Sequence, residues 1–210
     1  MRRVLLWVLI LFLGSATCLH VVHARPQQAA APPAAAAAPA SGVRAEYLAN
    51  LNAAADHAVR LAGAFPAEKY TWRPGEGVRS VSEVFLHIAA ANYSYARRLG
   101  VALPEGVTLG PDFEKSTTDK AKVTEILKQS IEIARQAATQ MAYDADVEKT
   151  MQGAGGRQIT YRQILFSLAS HNHEHLGQLI AYARVNGIVP PWTEEQQQQQ
   201  RQQQPPKKSP

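Results

Sequence analysis

The sequence has a single cysteine, Cys18, which lies within a stretch expected to be removed. A chain with one thiol has no internal disulfide framework, and a mature chain without it has neither a cysteine nucleophile nor a thiolate metal site. No apolar run reaches the roughly 20 residues needed to span a bilayer. Charge of one sign is also scarce. The formal +5 falls to +3 once Arg2 and Arg3 are removed, and part of that excess sits in the tail at Arg201, Lys207 and Lys208. A nearly neutral folded part gives no support for nucleic-acid binding. No repeat of solenoid length stands out.

The N-terminus supplies an address. Arg2 and Arg3 precede an apolar run from Val4 to Leu13 and then small residues, the anatomy of a secretory signal peptide. Cleavage is expected after Val22-His23-Ala24. The rival is lipoprotein anchoring at Cys18, for which Ser15-Ala16-Thr17 is a poor match because Thr17 replaces a small Gly or Ala. The expected location is periplasmic or secreted, with no stable membrane span after cleavage. The expected organisation is a signal peptide over 1–24, an Ala/Pro-rich disordered linker over 25–42, one domain over 43–192, and a Gln/Pro-rich disordered tail over 193–210.

Within the domain, apolar residues recur at helical spacing in four segments. Leu48, Leu51, Ala55, Ala58, Val59 and Ala62 mark the first, over 43–64. Ser80-Val81-Ser82-Glu83 reads as a capping box opening the second, whose stripe is Val84, Leu86, Ile88, Ala91 and Tyr95. The third runs over 117–141, capped by Thr118, or by Ser116 with Asp119, with Val123, Ile126, Leu127, Ile131, Ala134 and Ala138 as its stripe. The fourth opens at Thr160-Tyr161-Arg162-Gln163, a second capping box, and ends at Asn186-Gly187 before Pro190-Pro191. Between the last two, Val147–Met151 and Gln158-Ile159 form a candidate hairpin across Gly153–Gly156. The expected fold is all-α, a four-helix bundle, a class that builds metal sites from side chains on facing helices.

Histidine carries the chemistry. The chain beyond residue 24 has His57, His87, His171, His173 and His175, three of them within Ser170-His171-Asn172-His173-Glu174-His175-Leu176-Gly177-Gln178. On a helix, His171 and His175 stand about 40° apart and His173 is turned about 200° from His171. The pair shares a face with Ile164, Leu168, Leu179 and Tyr182 and is expected to point inward. Inward imidazoles need polar partners, and a shared divalent metal satisfies both. His87 on the second helix completes a three-histidine set with positions open to water or substrate. His173 reads as solvated surface, and His57 either lines the cavity or packs. Gln178, one turn past His175, either bonds a metal ligand or makes an ordinary helix–helix hydrogen bond. Gly177 in a helix interior costs about 1 kcal/mol against alanine, which points to close approach of a neighbouring helix.

A rival reading starts from Glu174. His171–His175 also spells H-x-x-E-H, the inverted zincin pattern, in which the glutamate is the general base of a metallopeptidase. Glu174 is therefore a weak catalytic candidate. A peptidase also needs a substrate-binding strand edge or cleft, and the pattern contains no sheet to supply one.

Trp72-Arg73-Pro74, Ser80–Ala89 with His87, His171-x-x-x-His175-x-Gly177-Gln178-Leu179, and Tyr182-x-Arg184-x-x-Gly187-x-x-Pro190-Pro191 together resemble the DinB superfamily, over roughly residues 43–192. The resemblance implies a four-helix bundle with a divalent metal, zinc or nickel, on three histidines. Carried over, these are His87, His171 and His175. It also implies activities of the thiol-transferase or isomerase kind that use small thiols such as mycothiol or bacillithiol. The sequence departs from the pattern at Glu174, where the family often has a second histidine, and at Leu176, where it often has arginine. The function expected is that of an exported, metal-dependent enzyme, a hydrolase or thiol-transferase-like protein, on an unidentified small-molecule substrate. A non-catalytic metal- or ligand-binding envelope module is the alternative, and a homodimer is the assembly left open.

Overall fold

A computed structural model describes residues 42–141 and 144–203. The signal peptide, the Ala/Pro linker before Gly42 and the last seven residues lie outside the described residues. Helix α1 spans Gly42–Ala64, α2 Val81–Arg98, α3 Lys120–Thr139 and α4 Tyr161–Val185. Strands β1 (Thr150–Gln152) and β2 (Gln158–Thr160) pair as an antiparallel hairpin just before α4, with Met151 opposite Ile159. The fold is the expected all-α bundle, with this hairpin as the one sheet among the described residues. None of these helices is long and apolar enough to cross a membrane.

The helix starts follow their local chemistry. Ser80 accepts from the Glu83 backbone N–H while the Glu83 carboxylate accepts from the Ser80 N–H at 2.7 Å. Thr160 and Gln163 make the same reciprocal pair at α4. The cap of α3 is Asp119, which accepts from the Lys122 N–H at 2.9 Å, so Thr118 does not serve. Both long helices of the site end on a glycine in the left-handed region, Gly100 after α2 and Gly187 after α4, where a β-carbon would be strained.

Helix α2 is central. Val81, Val84, Phe85, Leu86, Ile88 and Ala89 are all buried, and α2 packs on both α3 and α4 while α1 closes the other side against the same two. Phe85 meets Phe65 edge-on at 6.2 Å and stacks on Tyr70 at 6.1 Å, which fixes the loop after α1 to the start of α2. A polar thread crosses this core. Asn172 donates to Asn92 at 3.1 Å, and Asn92 donates to Ser130 at 3.0 Å, tying α4, α2 and α3 together.

Two expectations are corrected. The tail expected to be disordered over 193–210 is helical through Gln203, as α5 (Pro191–Gln203). Its glutamines supply no apolar face, but its first turns are anchored. Trp192 stacks on His57 at 4.1 Å, and Glu195 pairs with Arg60 of α1 at 2.5 Å. This also resolves His57, which packs rather than lining the histidine site. Gly177 approaches no other helix, since a β-carbon there would meet nothing within 4 Å. Gly177→Ala is therefore expected to stabilise the protein by up to about 1 kcal/mol, read as a raised denaturant midpoint with an unchanged slope.

Candidate metal centre

Each of the three histidines reaches the site from a helix fixed at its start by a capping box. His87 sits two turns into α2, and His171 and His175 sit one turn apart in the middle of α4. α2 and α4 pack together, so residues 84 positions apart meet. His87 Nε2 and His171 Nε2 are 3.0 Å apart. The rings form a triangle with centroid separations of 4.8 Å (His87–His171), 4.5 Å (His87–His175) and 4.4 Å (His171–His175). One ligand nitrogen from each lies within 4.8 Å of the others.

The pair on α4 is less deeply inward than the apolar neighbours suggest. In this stretch the core positions belong to Asn172 and Leu176, which are buried, whereas His171 and His175 are half-buried at the seam between helices. The His87 side chain retains 21% exposure. The triangle thus has a wall of protein on one side and access to solvent on the other.

Outer contacts set which nitrogens are available. Glu114, on a short 3₁₀ turn over Phe113–Lys115, faces His87 Nδ1 at 2.5 Å. The turn is pinned by Phe113, which packs edge-on against Tyr93 at 6.1 Å. Arg79 grips the same carboxylate, with Nε donating to one oxygen at 2.6 Å and Nη2 to the other at 3.3 Å. Burial alone would push the Glu114 carboxyl up, but hydrogen bonds from Arg79 and His87 outweigh it and hold it below its ordinary value. Burial lowers His87, with the Arg79 and His175 charges adding to it, and this prevails over the opposing pull of Glu114. A neutral His87 beside an ionised Glu114 donates through Nδ1–H and keeps the Nε2 lone pair for the centre. On the other arm, Gln178 Oε1 lies 2.9 Å from His175 Nδ1. Gln178 thus bonds a candidate ligand.

His171 differs from both. Its Nδ1 is buried with no hydrogen-bond partner. Burial and the neighbouring His175 and His87 push its pKa down to about 4. It is a neutral imidazole near pH 7, the form that ligates metals.

These residues fit a divalent ion. Three imidazoles converge here, two with a carboxylate or amide oxygen behind the outer nitrogen, the arrangement that orients metal-bound histidine. Tetrahedral zinc–nitrogen bonds of about 2.0–2.1 Å put ligand nitrogens roughly 3.3 Å apart, close to the 3.0 Å between His87 and His171. The cluster could hold a divalent metal.

The remaining candidates fall outside it. Glu174 is exposed and is not among the groups brought together, so the carboxylate at the centre is Glu114 instead. His173 is exposed, as expected, and lines a separate cavity of about 300 Å³ between α1 and α4 with Tyr47 and Phe166. Glu114 and Arg79 carry no sequence signal, because neither stands at a ligand spacing from any histidine.

Comparison with known proteins places this geometry. The DinB family profile matches residues 38–207. Among solved structures, the fold is similar to that of a DinB-like protein from Bacillus cereus, with 18% identity, 69% of this chain and 93% of that chain covered, and a TM-score of 0.60. It is also similar to the mycothiol-dependent maleylpyruvate isomerase, at 14% identity, 65% of this chain, 60% of that chain and a TM-score of 0.51. At these identities the likeness is one of fold. No curated protein matches the sequence. The profile spans all five helices, and the bundle that it describes is the one built above from stripes and caps: the chain belongs to the DinB family.

Proposed function

We propose that this protein is an exported, metal-dependent enzyme in which His87, His171 and His175 hold a divalent zinc or nickel ion. The observation that supports it is the convergence of three imidazoles from two helices, with a ligand nitrogen of each within 4.8 Å of the others and the His87 and His171 Nε2 atoms 3.0 Å apart across the α2–α4 seam. When bound, such an ion supplies Lewis acidity and lowers the pKa of a ligated water or thiol. The chain's own part is to bind and to orient. His87 and His175 are braced from behind by Glu114 and Gln178, and Asn172 anchors the middle of the α4 motif to the core through Asn92. The partly exposed edge at His87 and Glu114 is the side from which a small substrate reaches the centre. A hydrolysable bond or a thiol-reactive electrophile would suit it. Export rests on Arg2, Arg3 and the Val4–Leu13 run, with release after Ala24 and an Ala/Pro tether before the domain.

The test is elemental analysis of purified protein, followed by a thermal melt with and without chelator. One tightly bound zinc or nickel per chain and a lower melting temperature after chelation are expected. Absence of any stoichiometric metal, with a melt indifferent to both chelator and added zinc or nickel, overturns the reading. A non-catalytic metal- or ligand-binding module is the second reading. It is favoured by the position of the 300 Å³ cavity, which opens beside His173 rather than at the histidine triangle.

A further inference from the structure

The two braces behind the histidines belong to one circuit. From His87 it passes through Glu114 to the Arg79 side chain. From His175 it passes to Gln178, from Gln178 Nε2 to the Tyr182 hydroxyl at 2.8 Å, and from that hydroxyl to the Arg79 backbone carbonyl at 3.1 Å. Both arms end on the same residue, one on its guanidinium and the other on its carbonyl. We infer that Arg79 is a positioning residue for the centre, joining the two arms in one hydrogen-bonded chain that makes the Nδ1 atoms of His87 and His175 donors and leaves both Nε2 atoms as the acceptors that can ligate. This rests on the metal-centre reading above.

The direction of the long arm follows from what each group can do. A backbone carbonyl only accepts, so the Tyr182 hydroxyl must donate to Arg79. Having spent its proton there, that hydroxyl accepts from the Gln178 amide nitrogen. Gln178 then presents its oxygen to His175, and an oxygen there requires Nδ1–H. Reversing any step would leave the Arg79 carbonyl unpaired and turn His175 Nε2 into a donor, which cannot bind a cation. The short arm has the same logic. A carboxylate held by the arginine fork only accepts, so His87 donates from Nδ1. His171 lies outside this chain, its Nδ1 unpartnered, so two of the three histidines are latched and the third is not.

Long-range proton–nitrogen spectra of the metal-free protein near pH 8 read the tautomers directly. Cobalt(II) titration reads affinity and, through its visible spectrum, ligand geometry. In the parent, His87 and His175 are expected as Nδ1–H tautomers. Tyr182→Phe shifts His175 towards Nε2–H and leaves His87 unchanged. Arg79→Met weakens cobalt binding by roughly 10–100-fold, the range for groups behind metal ligands. Because its side chain acts through Glu114, adding Arg79→Met to Glu114→Ala costs no further affinity. An Nε2–H tautomer at either ring of the parent overturns the inference. So does cobalt affinity within twofold of the parent in both Arg79→Met and Tyr182→Phe. A parent that binds no cobalt overturns the metal-centre reading instead, and the tautomer spectra then still decide whether the hydrogen-bonded chain sets the two rings.

Discussion

Replacing His171 and His175 together with alanine is expected to abolish stoichiometric metal, while His173→Ala leaves it unchanged. The three positions are consecutive odd residues of one motif, so the contrast tests the helical geometry rather than the histidine content. His171 and His175 lie in the ring triangle, with centroids 4.4 Å apart, and His173 is exposed on the other side of α4. The double variant leaves only His87, and one imidazole does not retain a divalent ion against dialysis. Its loss therefore exceeds the roughly 10–100-fold that changes behind the ligands produce. The stability readout should follow. With free metal at 1,000 times Kd, binding stabilises the folded state by about 4 kcal/mol. For a domain of this size that is on the order of 10 °C in Tm. The parent should show this difference between metal-loaded and chelated samples, and the double variant should not. Neither substitution opens the core, because Asn172 and Leu176 fill the buried positions of this turn. A double variant that still carries one tightly bound metal per chain shows that the ion sits elsewhere.

Helix positions and the clustering of three histidines were legible because each is encoded locally or periodically. The stripes at Leu51–Ala62, Val84–Ala91 and Val123–Ala138 repeat with the turn of the helix, and two of the starts are written as capping boxes. The His171–His175 spacing places two rings on one face by geometry alone. What could not be read is what depends on the docking of distant segments. Glu114 is 27 residues from His87 and sits in a loop whose path is set by Phe113 packing against Tyr93. Arg79 shows as an ordinary residue before a helix cap, and its role appears only when α4 brings Tyr182 against its carbonyl. The same limit explains α5. Glutamine-rich composition has no stripe, so the helix depends on Trp192 finding His57 and Glu195 finding Arg60. The depth of the histidine pair was overstated for a related reason. A helical stripe about 100° wide does not say which edge of it faces the core and which faces the seam.

The largest effect on the metal-free protein is expected from acid. His171 titrates near 4 when folded, because burial and then its two histidine neighbours disfavour its charge. In the unfolded chain it titrates near 6.5. Between these values the unfolded chain binds more protons, so stability rises with pH across the window and falls as the solution is acidified. The stabilisation is fully present above pH 6.5 and is lost as pH drops through about 4. The full difference would be on the order of 3 kcal/mol. Solvent at the open side of the site reduces it to roughly 2–3 kcal/mol. Burial also lowers His87, which adds to the slope, while Glu114, held below the ordinary carboxylate range by Arg79, contributes its own loss at lower pH. Urea unfolding of chelated protein at intervals from pH 7 to pH 4 measures the slope. His171→Gln should remove most of it, since glutamine fills similar space without titrating. Loaded with metal, the protein should lose stability over the same acid range more steeply. Protons then compete with the ion for the Nε2 atoms as well as favouring the unfolded chain. A flat profile in the chelated parent would mean that His171 is as solvated as an unfolded histidine, and the buried, unpartnered Nδ1 that sets it apart from His87 and His175 would have to be reached by water.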